Sequence, residues 1–119
     1  VTDPSVTWGW AVLAVAVGGA VGALLRHLFT TASWGPLRGL LVVNTVGSAG
    51  LGAVVALVES PVMVLLLGTG LCGALTTWST LAVQTAQLGR HTPGVAAAYL
   101  LLTLILGLTA ALLTLAVLA

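Results

Sequence analysis

Residues 70–80 read GLCGALTTWST, between VMVLLL (62–67) and LAV (81–83). Glycines, hydroxyls and an indole, with no charge among them, interrupt an apolar segment that runs 62–88. A continuous helix of that length would measure about 40 Å at ~1.5 Å per residue, against a hydrocarbon core of ~30 Å. Tilt absorbs some of the excess. A break absorbs it too, and this stretch predicts one near 73–77. Gly68, Gly70 and Gly73 weaken the helix, and Thr76 and Thr77 can satisfy backbone groups that a break releases. Non-helical backbone at membrane depth is tolerated only inside protein or against a wet cavity. The break therefore predicts a partner surface or an ion site.

Composition sets the class. Of 119 residues, 60% are hydrophobic and 4% charged, and the mean hydropathy is +1.24. A soluble domain carries about 25% charged residues. Asp3, Arg26, Arg38, Glu59 and Arg90 cannot cover a water-facing surface. The chain is predicted to be an all-α membrane protein with a single integral membrane domain over 1–119. Four apolar segments run 8–29, 37–58, 62–88 and 94–119, each long enough to span. The joints are short, so consecutive spans are antiparallel neighbours. Pro36, Pro61 and Pro93 stand at the starts of the last three, where a first helical turn tolerates proline. VTDPSVTWGW lacks the basic region of a signal peptide, and the apolar run after it is too long for one. The lone Cys72 excludes an internal disulfide and reads as a small buried apolar side chain.

The charges orient the chain. Arg26, Arg38, Arg90, His27 and His91 fall at the 1–2 and 3–4 joints, while Asp3 and Glu59 fall at the opposite end. The positive-inside rule places those two joints in the cytoplasm and both termini outside.

Polar residues inside spans are the informative ones. Asn44 and Ser48 share a helix face with Gly52, and read as interhelical glue or as donors to a pathway. Tyr99, Thr103, Gly107, Ala110–Ala111 and Thr114 form a stripe on the last span, which reads as a packing seam or a hydroxyl-lined wall. Gly18 and Gly22 read as close helix packing. Arg26 is an interfacial anchor or a fixed charge at the mouth of an anion pathway. Trp8, Trp10 and Trp34 fit an aromatic belt, but Trp78 lies at mid-depth. No span carries an interior carboxylate, which disfavours a proton-coupled drug exporter and a divalent-cation site. No nucleophile–base pair or phosphate-cradling loop is present, so no enzyme is predicted, and no nucleic-acid partner is expected. The remaining donors can replace the hydration shell of a small anion. Carbonyls at the break can hold a monovalent cation.

GGAVGALLRH (18–27), GLLVVNTVGSAGLG (39–52) and GTGLCGALTTWSTL (68–81) together resemble the Fluc (CrcB) fluoride channels. The resemblance implies four helices with the third broken at its centre, and an antiparallel dual-topology-type dimer. It implies fluoride pathways along the subunit interface and a structural Na⁺ on the two-fold axis, held by the carbonyls of Gly73 and Thr76. Asn44 matches the family's pore asparagine, and Arg26 its arginine at the end of the first helix. Thr77, Ser79 and Thr80 lie on its hydroxyl-bearing stretch. Ser48 and Thr103 join the pathway set, Thr103 on a looser alignment. The family usually reads TTFST followed by a second Phe, with both rings lining the pores. Here Trp78 and Leu81 stand instead, so a pathway built by this subunit is altered. A one-sided basic bias also fits poorly with a homodimer. A heterodimer with a paralogous subunit of opposite bias is favoured. The function implied is passive fluoride export from the cytoplasm across the plasma (inner) membrane of a prokaryote. The alternatives are a non-conducting or pore-altered subunit that completes a paralog's channel and, less favoured, a small four-helix drug exporter.

Overall fold

The computed structural model describes residues 8–119; VTDPSVT, with Asp3, lies outside the described residues. Its elements are α1 (Trp8–Thr30), α2 (Pro36–Leu57), α3 (Pro61–Met63), a π-helical stretch (Val64–Cys72), α4 (Gly73–Leu75), α5 (Trp78–Gly89) and α6 (Pro93–Leu118). Among the described residues, four helical segments are long and apolar enough to cross a membrane: Trp8–Thr30, Pro36–Leu57, Pro61–Gly89 and Pro93–Leu118. The last three each begin on their proline, one residue before the sequence estimate. A first-turn N–H has no helical acceptor, so proline loses nothing there.

The α1–α2 joint is held locally. Thr30 and Thr31 donate their hydroxyls to the carbonyls of Arg26 (2.8 Å) and His27 (2.7 Å). Trp34 donates its indole N–H to the Phe29 carbonyl at 2.7 Å and stacks on the Phe29 ring, centroids 5.7 Å apart. Gly35 then turns the chain at φ 94°, a left-handed value that disfavours any side chain.

Small residues set the helix spacing. A methyl group on Gly18 or Gly22 would overlap the carbonyl of Leu66 or Leu71 in the π-helical stretch. Helix association in lipid depends on such close packing, because apolar tails offer no hydrophobic drive between helices. Leu40, Val43, Leu75 and Leu81 form the buried core, with Leu25, Phe29, Tyr99 and Leu100 packed around it. Most large apolar side chains of α1 and α6 point outward, as spans facing lipid or a second subunit require.

The third span differs from the sequence reading in one respect. Gly68, Gly70 and Gly73 do not interrupt the helix; Gly73 sits at φ −62°, ψ −39°. Gly70 instead lets α1 approach, since a methyl there would stand 3.0 Å from the Gly18 Cα. The interruption falls on Thr76 (φ −80°, ψ 152°) and Thr77 (φ −148°, ψ 126°). β-branched side chains take extended backbone readily, and these two also supply hydroxyls to the exposed helix ends.

Candidate functional site

The site is built around the two threonines. Thr76 N–H still closes onto the Cys72 carbonyl at 3.0 Å, and the Thr76 hydroxyl donates to the same oxygen at 3.0 Å. Thr77 N–H is the next in line, and in a continuing α-helix it would donate to Gly73. It donates instead to Asn44 Oδ1 at 2.8 Å, while Asn44 Nδ2 donates to the Thr77 carbonyl at 3.3 Å. Asn44 is 8% exposed, so both bonds lie away from solvent, where an unmade one costs most. Thr77 caps α5: its Oγ1 accepts from Thr80 N–H at 3.2 Å. The Thr77 hydroxyl donates to Thr80 Oγ1 at 3.3 Å and shares a hydrogen bond with the Ser79 hydroxyl at 3.2 Å.

A cleft of about 450 Å³ opens beside this break. It brings together Asn44 and Ser48 of α2, Gly73, Thr76 and Thr77 at the break, Trp78 at the start of α5 and Thr103 of α6. Leu81 borders the cleft as well, as do Gly68, Cys72, Gly107 and Ala111. Leu81 does so only from the core, being 2% exposed against Leu40, Val43 and Leu75. Trp78, at 66% exposed, stands out at the rim. Ser79 and Thr80 do not line the cleft; they reach it through the Thr77 hydroxyl. Arg26 is half-buried near the end of α1 and also lies outside it.

The stripe on α6 makes packing contacts at both ends and borders the cleft between them. At one end, Tyr99 donates to the Leu37 carbonyl at 2.8 Å and meets Gln84 Oε1 at 3.3 Å. At the other, Thr114 donates to the Ala49 carbonyl at 2.9 Å. Between them, Thr103 and Gly107 line the cleft. The Thr103 hydroxyl donates to the Tyr99 carbonyl at 2.8 Å, which leaves its oxygen lone pairs toward other donors. Sequence reasoning missed Gln84, whose signal was an amide in an apolar span, and the place of Cys72 on the cleft wall.

No cluster of three or more His, Cys, Asp or Glu that could hold a metal is found among the described residues. The ligands on offer at the break are neutral backbone carbonyls. Those suit a hard monovalent cation better than a divalent one, which calls for carboxylates. The carbonyls of Gly73 and Thr76 fit that requirement, since the helix stops before either can be capped by the usual N–H.

Four apolar spans, the third broken at two threonines beside an uncharged donor-lined cleft, define a small multi-pass membrane protein with a discontinuous helix. The family model described as "CrcB-like protein, Camphor Resistance (CrcB)" matches residues 13–115. The chain belongs to the CrcB family. It is 39% identical over 111 residues to the "Fluoride-specific ion channel FluC" of Thermotoga petrophila, covering 83% of this chain and 87% of that one. It is 37% identical over 107 residues to the protein of the same description from Methanopyrus kandleri, covering 83% and 82%. With "Fluoride-specific ion channel FluC 2" of Halobacterium salinarum it shares 51% identity over 80 residues, 62% of each chain.

Proposed function

We propose that this chain is a subunit of a passive fluoride-selective channel that exports fluoride from the cytoplasm. The observation that carries this reading is the cleft: it offers amide, hydroxyl and indole donors and no charged side chain. Fluoride is small and strongly hydrated, so a narrow path must supply close donors in place of water. Asn44, Ser48, Thr77 and Trp78 would serve that path, with Ser79 and Thr80 behind Thr77, and Thr103 would join them by turning its hydroxyl from the Tyr99 carbonyl. Leu81 would shape its inner wall. Arg26 would raise the anion concentration near a mouth. A Na⁺ held by the carbonyls of Gly73 and Thr76, with the same pair from a second subunit, would fix the break at the two-fold axis.

The partner favoured is a paralogous subunit inserted the other way up. The basic residues Arg26, Arg38 and Arg90 all fall at the 1–2 and 3–4 joints, which favours one orientation, with those joints in the cytoplasm. Leu81 and Trp78 support a second reading, in which this subunit completes the pathway of its partner and its own is closed. Fluoride efflux from liposomes tests both. Full efflux with this chain alone would overturn the heterodimer. Efflux only with the paralog present supports it, and no efflux in any combination would overturn the channel reading. Within a conducting pair, Asn44→Asp places negative charge beside the path and is expected to suppress efflux at least about tenfold. Unchanged efflux would remove Asn44 from the path.

A further inference from the structure

Two features of the break have separate causes. The extended backbone at Thr76 and Thr77 needs local residues that accept it. It also needs something to stop the chain from healing into one helix, because Thr76 N–H still keeps its helical acceptor and Thr77 N–H is the next donor in line. Thr77 N–H would close on the Gly73 carbonyl if the α-helix ran on. In the structure it is taken at 2.8 Å by Asn44 Oδ1. The same amide returns a hydrogen bond to the Thr77 carbonyl at 3.3 Å. One side chain thus pairs with both the N–H and the C=O of one residue, as a residue of a neighbouring antiparallel β-strand would.

We propose that Asn44 is a positioning residue which holds the third span open and, by withholding Thr77 N–H, keeps the Gly73 carbonyl free for a cation. Its action on the cation site runs through the Thr77 peptide and needs no contact with the cation itself. Three observations converge on this. Asn44 is 8% exposed and Thr77 8% exposed, so water does not compete well for either group. The residue on the other side of the break needs no such clasp, because Thr76 N–H keeps its own helical acceptor at Cys72. The α2 backbone beside Asn44 is also close enough to act as a fixed anchor, since a methyl on Gly47 would overlap the Thr76 side chain. The second half of the proposal, the free carbonyl as a cation ligand, rests on the cation reading given above.

The experiment compares wild type, Asn44→Asp and Asn44→Leu in lipid nanodiscs, without fluoride. Backbone carbon chemical shifts of Gly73, Thr76 and Thr77 are followed while sodium chloride replaces N-methylglucamine chloride. Aspartate keeps an acceptor oxygen for Thr77 N–H in either protonation state; leucine matches the volume and offers none. Wild type and Asn44→Asp are expected to show extended shifts at Thr77. In Asn44→Leu the Thr77 shifts are expected to move to helical values, and half-saturation by sodium to require at least about tenfold more salt, the factor that one buried hydrogen bond of ordinary strength sets. Extended shifts at Thr77 in Asn44→Leu, or a sodium response equal to that of wild type, would overturn the proposal. A wild type indifferent to sodium would remove the cation reading, and the Thr77 shifts would still judge the clasp. Fluoride efflux plays no part in this experiment, so failure of the channel reading would be seen separately.

Discussion

Gly18 lies so close to Leu66 that a methyl group on Gly18 would overlap the Leu66 carbonyl oxygen and approach the Leu71 nitrogen at 2.9 Å. Both obstacles are backbone, which cannot rotate aside. Gly18→Ala must therefore push α1 off the π-helical stretch, at about 1–3 kcal/mol, as overpacking generally costs. Gly19, next along the chain, meets nothing within 4 Å, so Gly19→Ala is expected to leave subunit stability within about 0.5 kcal/mol of wild type. Unfolding of the two variants in mild detergent, followed by circular dichroism against denaturant, checks the contrast.

The α2–α6 seam predicts a graded pair. Thr114→Val keeps the volume and deletes the hydroxyl that donates to the Ala49 carbonyl. Interhelical bonds of this type in membranes average about 0.6 kcal/mol, so the loss is expected to be small. Gly52→Ala should cost more, because a methyl there would overlap both the Thr114 hydroxyl and the Ala111 carbonyl. The same unfolding measurement should order the variants wild type, Thr114→Val, Gly52→Ala. The reverse order would mean that the hydroxyl, and not the close approach, holds this seam.

The features that made these positions legible differ from those that did not. Span number and the need for a break followed from apolar run length, which is a one-dimensional property of GLCGALTTWST and its flanks. The position of the break was only half legible. Glycine weakens helices in water, yet Gly68, Gly70 and Gly73 remain helical here, Gly70 against the α1 backbone and Gly68 against Val54 and Leu51 of α2. The π-helical winding of Val64–Cys72 has no residue signature that distinguishes it from α-helix. The clasp between Asn44 and Thr77 joins residues 33 apart in sequence. Each residue alone reads as an ordinary polar residue in a span, and only their placement in the fold pairs them.

Thr77 carries two tasks that substitution can separate. Its β-branched carbon favours the extended backbone at φ −148°, and its hydroxyl caps α5 by accepting from Thr80 N–H at 3.2 Å. Thr77→Val keeps the first and deletes the second; Thr77→Ser keeps the hydroxyl and loses the branch. Loss of an N-cap costs about 1 kcal/mol, and the Val variant also leaves Ser79 and Thr80 without their shared oxygen. The Val variant is therefore expected to be less stable than the Ser variant. In a conducting pair it should also pass less fluoride, measured as initial efflux rate from liposomes. Equal rates would place the Thr77 hydroxyl outside the path.

Trp78 and Leu81 depart from the aromatic pair usual in the family, and the structure assigns them opposite tolerances. Trp78 is 66% exposed at the rim of the cleft, so Trp78→Phe trims a side chain that few atoms constrain. Its unfolding midpoint is expected to match wild type. Leu81 is 2% exposed and packed with Leu40, Val43 and Leu75. Leu81→Phe adds a ring to a filled space and should cost about 1–3 kcal/mol unless neighbours shrink to receive it. Leu81→Phe combined with Leu40→Ala tests that clause directly: if lack of space is the cause, the second change should recover part of the loss, a coupling that residues sharing one packed site can show. A Leu81→Phe variant as stable as wild type would mean that the ring turns outward into the cleft. In that case the subunit could recover the family's second aromatic by a single substitution, and the efflux of that variant would show whether leucine at position 81 is what limits its own pathway.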